Sequence, residues 1–158
     1  MKFFASEDVQ EKIRVLKSIP VFRELSNKEI LEVDALLHER TYEKDEVIFA
    51  EGDAGHGIYV IVSGKVRIES TCKLLANAAP EFGAGDILGE LCLFDEAPRN
   101  ATATALEHTF AVTLFQAELY SLLTKNERIG VKVLMEISRI LSQRVRRLLL
   151  RQPCSPIV

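Results

Sequence analysis

The spacing of apolar and polar residues changes character twice along the chain, near residues 40 and 116. From about residue 7 to 40 the pattern is helical. Ser26 and Glu29 fit a capping box, in which each side chain satisfies the other residue's backbone N–H. Ile30, Val33, Leu36 and Leu37 then recur at the steps of a helix face. Ile19-Pro20-Val21-Phe22 interrupts the pattern, because proline disfavours helix at the residue before it, so two short helices are predicted.

Residues 41–115 read as short β-type runs separated by turn residues. Val47-Ile48-Phe49 precedes Glu51-Gly52-Asp53, and the runs 58–62 and 65–69 flank Ser63-Gly64, a two-residue hairpin signal. Gly83-Ala84-Gly85-Asp86, a short segment over 89–94, and runs at 101–106 and 109–115 around Glu107-His108 complete the region. Strands this short and regular predict a small antiparallel barrel or sandwich, not a parallel sheet with crossover helices. From Gln116 the pattern is helical again. Thr124 and Glu127 match a second capping box, predicting a long helix over 124–151. On it Leu134, Ile137, Leu141, Val145 and Leu148 share one stripe, with Arg144 and Arg151 at its edge. Residues 152–156, with two prolines, are expected to end the helix and fray.

Composition narrows the class. The chain has 158 residues, 47% hydrophobic and 27% charged, with a net charge of −3. That is one domain's worth of globular sequence, with core enough to need neither disulfides nor metal as staples. The slightly acidic balance argues against a general nucleic-acid coat. The three cysteines, Cys72, Cys92 and Cys154, form no CxxC pair and suggest neither a disulfide framework nor a zinc site. The amino terminus lacks a signal-peptide core, and no stretch approaches the roughly 20 apolar residues of a membrane span. The expectation is a cytoplasmic domain.

The chemistry concentrates in 85–102, Gly-Asp-Ile-Leu-Gly-Glu-Leu-Cys-Leu-Phe-Asp-Glu-Ala-Pro-Arg-Asn-Ala-Thr. Gly89 permits a close backbone approach at the opening of a short helical turn, where the free N–H groups of Glu90, Leu91 and Cys92 would face an anion. After the turn forced by Ala97-Pro98, Arg99 can return its guanidinium to the same anion, offering two parallel donors to a phosphate. Glu90 would repel a phosphate and so must face hydroxyl donors such as those of a sugar. Phosphate beside a sugar diol, without a polyphosphate loop, describes a mononucleotide. Two alternatives stand beside this reading: Arg99 and Glu90 as a plain surface ion pair, and Cys92 as a nucleophile with a lowered pKa. His38, His56 and His108 are scattered and read as surface or turn residues.

Gly-Glu-Leu followed by Pro-Arg-x-Ala-Thr at this spacing resembles the phosphate-binding cassette of cyclic nucleotide-binding domains, of the catabolite gene activator and cAMP-dependent protein kinase regulatory subunit type. The resemblance covers nearly the whole chain, including Gly52, Gly64 and Gly85. It implies an α+β fold: an antiparallel, jelly-roll-like β-roll of about eight strands over 41–115, flanked by helices over 7–40 and 116–151, in a single domain of 1–158. It implies a ligand set of Gly89, Glu90, Leu91, Cys92, Arg99, Asn100, Ala101 and Arg144. Glu90 would hold the ribose 2′-hydroxyl and Arg99 the cyclic phosphate. The amides of Leu91 and Cys92 would take further phosphate oxygens, Gly89 would lie against the ribose, and Asn100 would face phosphate or base. Arg144 falls near the base-capping position of the last helix. The implied ligand is cAMP, with cGMP possible, and no metal. The implied function is regulatory: occupancy moves the C-terminal helices. No Gly-x-Ser-x-Gly, P-loop or His-Glu-x-x-His occurs, so no enzyme is expected. Residues 151–158 cannot hold a helix-turn-helix, so no DNA-binding domain is expected. A homodimer through the long helix is expected. The alternatives are a ligand-free protein–protein module on the same fold, and the sensor part of a transcription regulator.

Overall fold

The computed structural model describes residues 9–71, 80–95 and 97–151. Helix α1 (Val9–Ser18) buries Ile13 and Leu16, and a 3-10 turn, Pro20–Phe22, follows at the predicted break. Helix α2 (Asn27–Asp34) opens on the predicted capping box. The Ser26 hydroxyl accepts from the Glu29 amide at 3.3 Å, and the Glu29 carboxylate accepts from the Ser26 amide at 2.7 Å. The helical region ends before residue 40, because Ala35 caps α2 and His38 already opens strand β1 (His38–Tyr42). That strand, HERTY, is polar and, among the described residues, lies at a sheet edge beside β8, so no apolar alternation announces it.

The remaining strands are β2 (Val47–Phe49), β3 (Gly57–Ser63), β4 (Lys65–Glu69), β5 (Glu81–Gly83), β6 (Ile87–Leu88), β7 (Thr102–Ala105) and β8 (Thr109–Phe115). They form two antiparallel four-stranded sheets, ordered β1-β8-β3-β6 and β2-β7-β4-β5, which is the expected β-roll with flanking helices. Alternation along β3 builds two cores. Ile58 and Val60 face the helices, joining Leu16, Phe22 and Ile30, while Ile61 faces the other sheet with Ile48, Val66 and Ala103.

Ser63-Gly64 does not make a hairpin. β3 pairs with β8 and β6, and β4 with β7 and β5, so the chain changes sheet at this turn. Gly64 sits at φ +93°, and a Cβ there would stand 2.4 Å from the Thr109 hydroxyl oxygen. The dipeptide supplies a sharp bend, but pairing with distant β8 decides what lies beside β3.

Helices α3 (Gln116–Lys125) and α4 (Glu127–Arg151) close the fold. The second capping box is not formed. The Thr124 hydroxyl donates back to the carbonyls of Tyr120 and Ser121 inside α3, and the chain breaks at Asn126, whose carbonyl accepts from the Gly130 amide. α4 buries Ile129, Val133, Glu136 and Ile137. The predicted stripe is only partly seated: Ile137 is buried, Leu134 and Leu141 are half-buried, and Val145 is 54% exposed. The Leu148 side chain, Cys72, Cys154 and the tail expected to fray lie outside the described residues.

Charge ties α4 to the N-terminal helices. Glu29 accepts from Lys132 at 2.7 Å, and this contact, followed by the Ser26 amide, holds its carboxyl down at about 2. Arg23 pairs with buried Glu136 at 3.0 Å, and the Asn126 side-chain amide donates to Glu32 at 2.7 Å.

Candidate functional site

The candidate residues converge at one mouth of the roll, where β6 runs into the turn that begins at Gly89. Gly89 has φ +77° and precedes a 3-10 turn, Glu90–Cys92. A Cβ at Gly89 would lie 2.1 Å from an Arg99 terminal nitrogen, so the missing side chain makes room for the guanidinium.

Arg99 is 4% exposed. One terminal nitrogen donates to the Gly89 carbonyl at 2.9 Å and the other to the Gly57 carbonyl at 2.8 Å. Its charged carbon lies 4.6 Å from the Phe49 ring centroid and 5.5 Å from that of Tyr59. Its peptide is clamped from both sides: the Arg99 amide donates to the Asp53 carbonyl at 2.7 Å, and the Gly52 amide donates to the Arg99 carbonyl at 2.8 Å. Among the described residues no carboxylate pairs with it.

Glu90 is 6% exposed and is met by Arg144 of α4, which also donates to the Ile87 carbonyl and lies over the Phe82 ring at 5.1 Å. The surface ion pair between Arg99 and Glu90 is therefore not formed. Both groups are buried, Arg99 is held by carbonyls and Glu90 by Arg144, because the roll places them on separate partners. Cys92 is buried, with its thiol donating to the Pro98 carbonyl at 3.3 Å, which does not suit an attacking group. Leu91 is exposed, Ala101 is buried, and Asn100 is exposed with its carbonyl accepting from the Ser70 hydroxyl at 2.7 Å. Gln116, at the start of α3, donates to the Leu93 carbonyl at 2.7 Å and so links that helix to the turn. His38 and His108 are exposed, beside Glu118 and Glu43 respectively, and His56 is exposed.

Sequence reasoning missed Phe49, Gly57 and Tyr59, on strands well before the cassette in sequence, and Phe82, on β5 just ahead of it. Phe49 and Tyr59 read as ordinary strand apolars, and nothing local marks them as neighbours of Arg99. Among the described residues no group of three or more His, Cys, Asp or Glu could hold a metal ion, and no helix is long and apolar enough to cross a membrane.

A buried cation with no carboxylate partner, beside a buried carboxylate, can receive an anion joined to a hydroxyl-bearing group. Comparison with known proteins gives that chemistry its family. Residues 39–126 match the cyclic nucleotide-binding domain model, and the chain belongs to this family. It is 32% identical over 118 residues to the cyclic AMP receptor protein of Thermus thermophilus, covering 70% of this chain and 51% of that protein. It is 28% identical over 130 residues to the cAMP-dependent protein kinase regulatory subunit of Mycosarcoma maydis, covering 82% and 24%. Its fold superimposes on a cyclic nucleotide-binding domain from Methylobacillus flagellatus with a TM-score of 0.78, at 25% identity, covering 95% of this chain and 86% of that one. The chain thus spans about half the length of the bacterial receptor protein.

Proposed function

We propose that the chain is a cyclic mononucleotide sensor, with cAMP as its ligand, and not an enzyme. The observation that carries this reading is Arg99: a guanidinium 4% exposed, satisfied by two carbonyls and two aromatic faces, with no carboxylate among the described residues to neutralise it. A buried cation left charged in this way favours an anionic ligand. Arg99 and the amides of Leu91 and Cys92 would take the cyclic phosphate, Glu90 the ribose 2′-hydroxyl, and Gly89 would lie against the ribose. Asn100 carries both a donor and an acceptor and can meet either purine. Cyclic AMP is preferred because guanine recognition in this family is associated with Thr at that position.

Arg144 would link occupancy to α4. It already holds Glu90, so a ribose arriving at that carboxylate changes a polar contact made there by the distal half of α4. A ligand shifts the helix only by its different affinity for the two helix positions.

The homodimer reading gains a different seam. Val131, Met135, Ser138, Ser142, Val145 and Leu149 recur at alternating steps of four and three, and all are exposed. At about 100° per residue they lie opposite Ile129, Val133 and half-buried Ile140, which pack on the body. No charge interrupts this stripe, and Arg144 sits on the body side, so it is no intruder. Such a face fits the same helix of a second copy.

Calorimetry with cAMP and cGMP side by side tests the ligand reading. The expected result is micromolar or tighter binding of cAMP, about −8 kcal/mol or better. No heat and no thermal shift with either nucleotide at millimolar concentration would overturn it. A cGMP affinity tenfold above that for cAMP would reverse the base preference.

A further inference from the structure

Phe49 is on β2 in one sheet and Tyr59 on β3 in the other, yet their ring centroids are 5.4 Å apart and both rings face the Arg99 guanidinium. We propose that Phe49 and Tyr59 are positioning residues, an aromatic pair that holds the Arg99 guanidinium charged and aimed at the anion. The proposal rests on the cyclic-nucleotide reading of the site.

The argument starts from the cost of burying a cation. A guanidinium 4% exposed must be compensated for lost water, or it will swing out. A carboxylate would compensate it but would also cancel the charge that the anion needs. An aromatic face attracts the cation through its quadrupole and leaves both the net charge and the edge N–H groups untouched. A guanidinium has five N–H donors. Two are spent on Gly89 and Gly57, which fix the plane of the group, and the ring faces fix its tilt. Among the described residues the remaining donors meet no acceptor, which leaves them for phosphate oxygens. Phe49 is 9% exposed and Tyr59 half-buried, so the Phe49 face is shielded from water, where a cation–π contact is strongest.

The test compares Tyr59→Leu, Tyr59→Phe and Phe49→Leu with the parent by two measurements. One is nucleotide affinity by calorimetry. The other is the Arg99 Nε–H resonance, assigned as the signal lost in Arg99→Lys, which the ring faces shift. Tyr59→Leu and Phe49→Leu are each expected to weaken cAMP about five- to thirtyfold and to move the Arg99 resonance. Tyr59→Phe keeps the ring face and is expected to retain both. Affinity within twofold of the parent in Tyr59→Leu overturns the proposal. So does a loss of affinity with the resonance unmoved, since the ring would then act only through packing. Tyr59 is the decisive position if the buried Phe49 variant fails to fold. If the parent binds neither nucleotide at millimolar concentration, the ligand reading itself fails and the positioning role falls with it. The other adverse results, seen with a parent that binds, count against the aromatic pair alone.

Discussion

Replacing Gly89 with alanine is expected to reach the ligand through a second side chain. The new Cβ would stand 2.1 Å from an Arg99 terminal nitrogen and 3.0 Å from the guanidinium carbon. A comfortable carbon–nitrogen contact is about 3.5 Å, so the guanidinium must retreat by more than an ångström. Retreat breaks its bond to the Gly89 carbonyl, and a hydrogen bond to a charged group is worth about 1.5–3 kcal/mol. The backbone adds its own term, because φ +77° is a left-handed conformation that costs an alanine about 1–2 kcal/mol. The first term appears in binding: cAMP affinity is expected to fall about ten- to a hundredfold, at about 1.4 kcal/mol per decade. The second appears in stability, as a melting temperature lower by about 2–8 °C for a domain of this size. Calorimetry and thermal unfolding of the same preparation separate the two. Arg99→Ala sets the scale, with a loss of about 2–5 kcal/mol for an anion left without its buried partner. In the Gly89→Ala, Arg99→Ala double variant the glycine substitution is expected to cost stability but no further affinity. A Gly89→Ala protein that melts lower yet binds cAMP within threefold of the parent would refute the reasoning, since the guanidinium would then not depend on that space.

Two further outcomes follow from α4. Arg144→Ala removes the contact between the helix and Glu90, so nucleotide affinity is expected to change by no more than about tenfold. Ligand-dependent protection of amides 141–150 in hydrogen exchange is expected to disappear, and unchanged protection would sever Arg144 from the coupling. The parent is expected to sediment as a dimer at high micromolar concentration, and Val145→Glu with Leu149→Glu as a monomer with its roll folded, because both residues are exposed on the charge-free stripe. A monomeric parent, with and without cAMP, would rule the seam out.

What the sequence determined by itself is local. The Ser26–Glu29 capping box is legible because its partners are three residues apart and need only one helical turn to meet. The cassette is legible for a similar reason: Gly89, Glu90 and Arg99 lie within ten residues of one another, and the turn forced at Ala97-Pro98 leaves few ways to bring them back together. The two-sheet roll was readable from its short strands and turn spacing, helped by the family resemblance. Tertiary structure decided everything that depends on distant partners. Ser63-Gly64 is a bend between sheets and not a hairpin, because β8, more than forty residues away, is the neighbour of β3. Thr124 looks like a cap in sequence, but its hydroxyl bonds back into α3 where Asn126 breaks the chain. β1 is polar at an edge and carries no periodic signal. The predicted stripe on α4 is only partly seated on the body, because apolar spacing shows that a helix has faces but not which one the body covers. Arg99 meets Gly57 across 42 residues, and Arg144 meets Glu90 across 54. Spacing along the chain carries no information at that range, since a strand or helix can return from any direction, and only the packed sheets and helices select one.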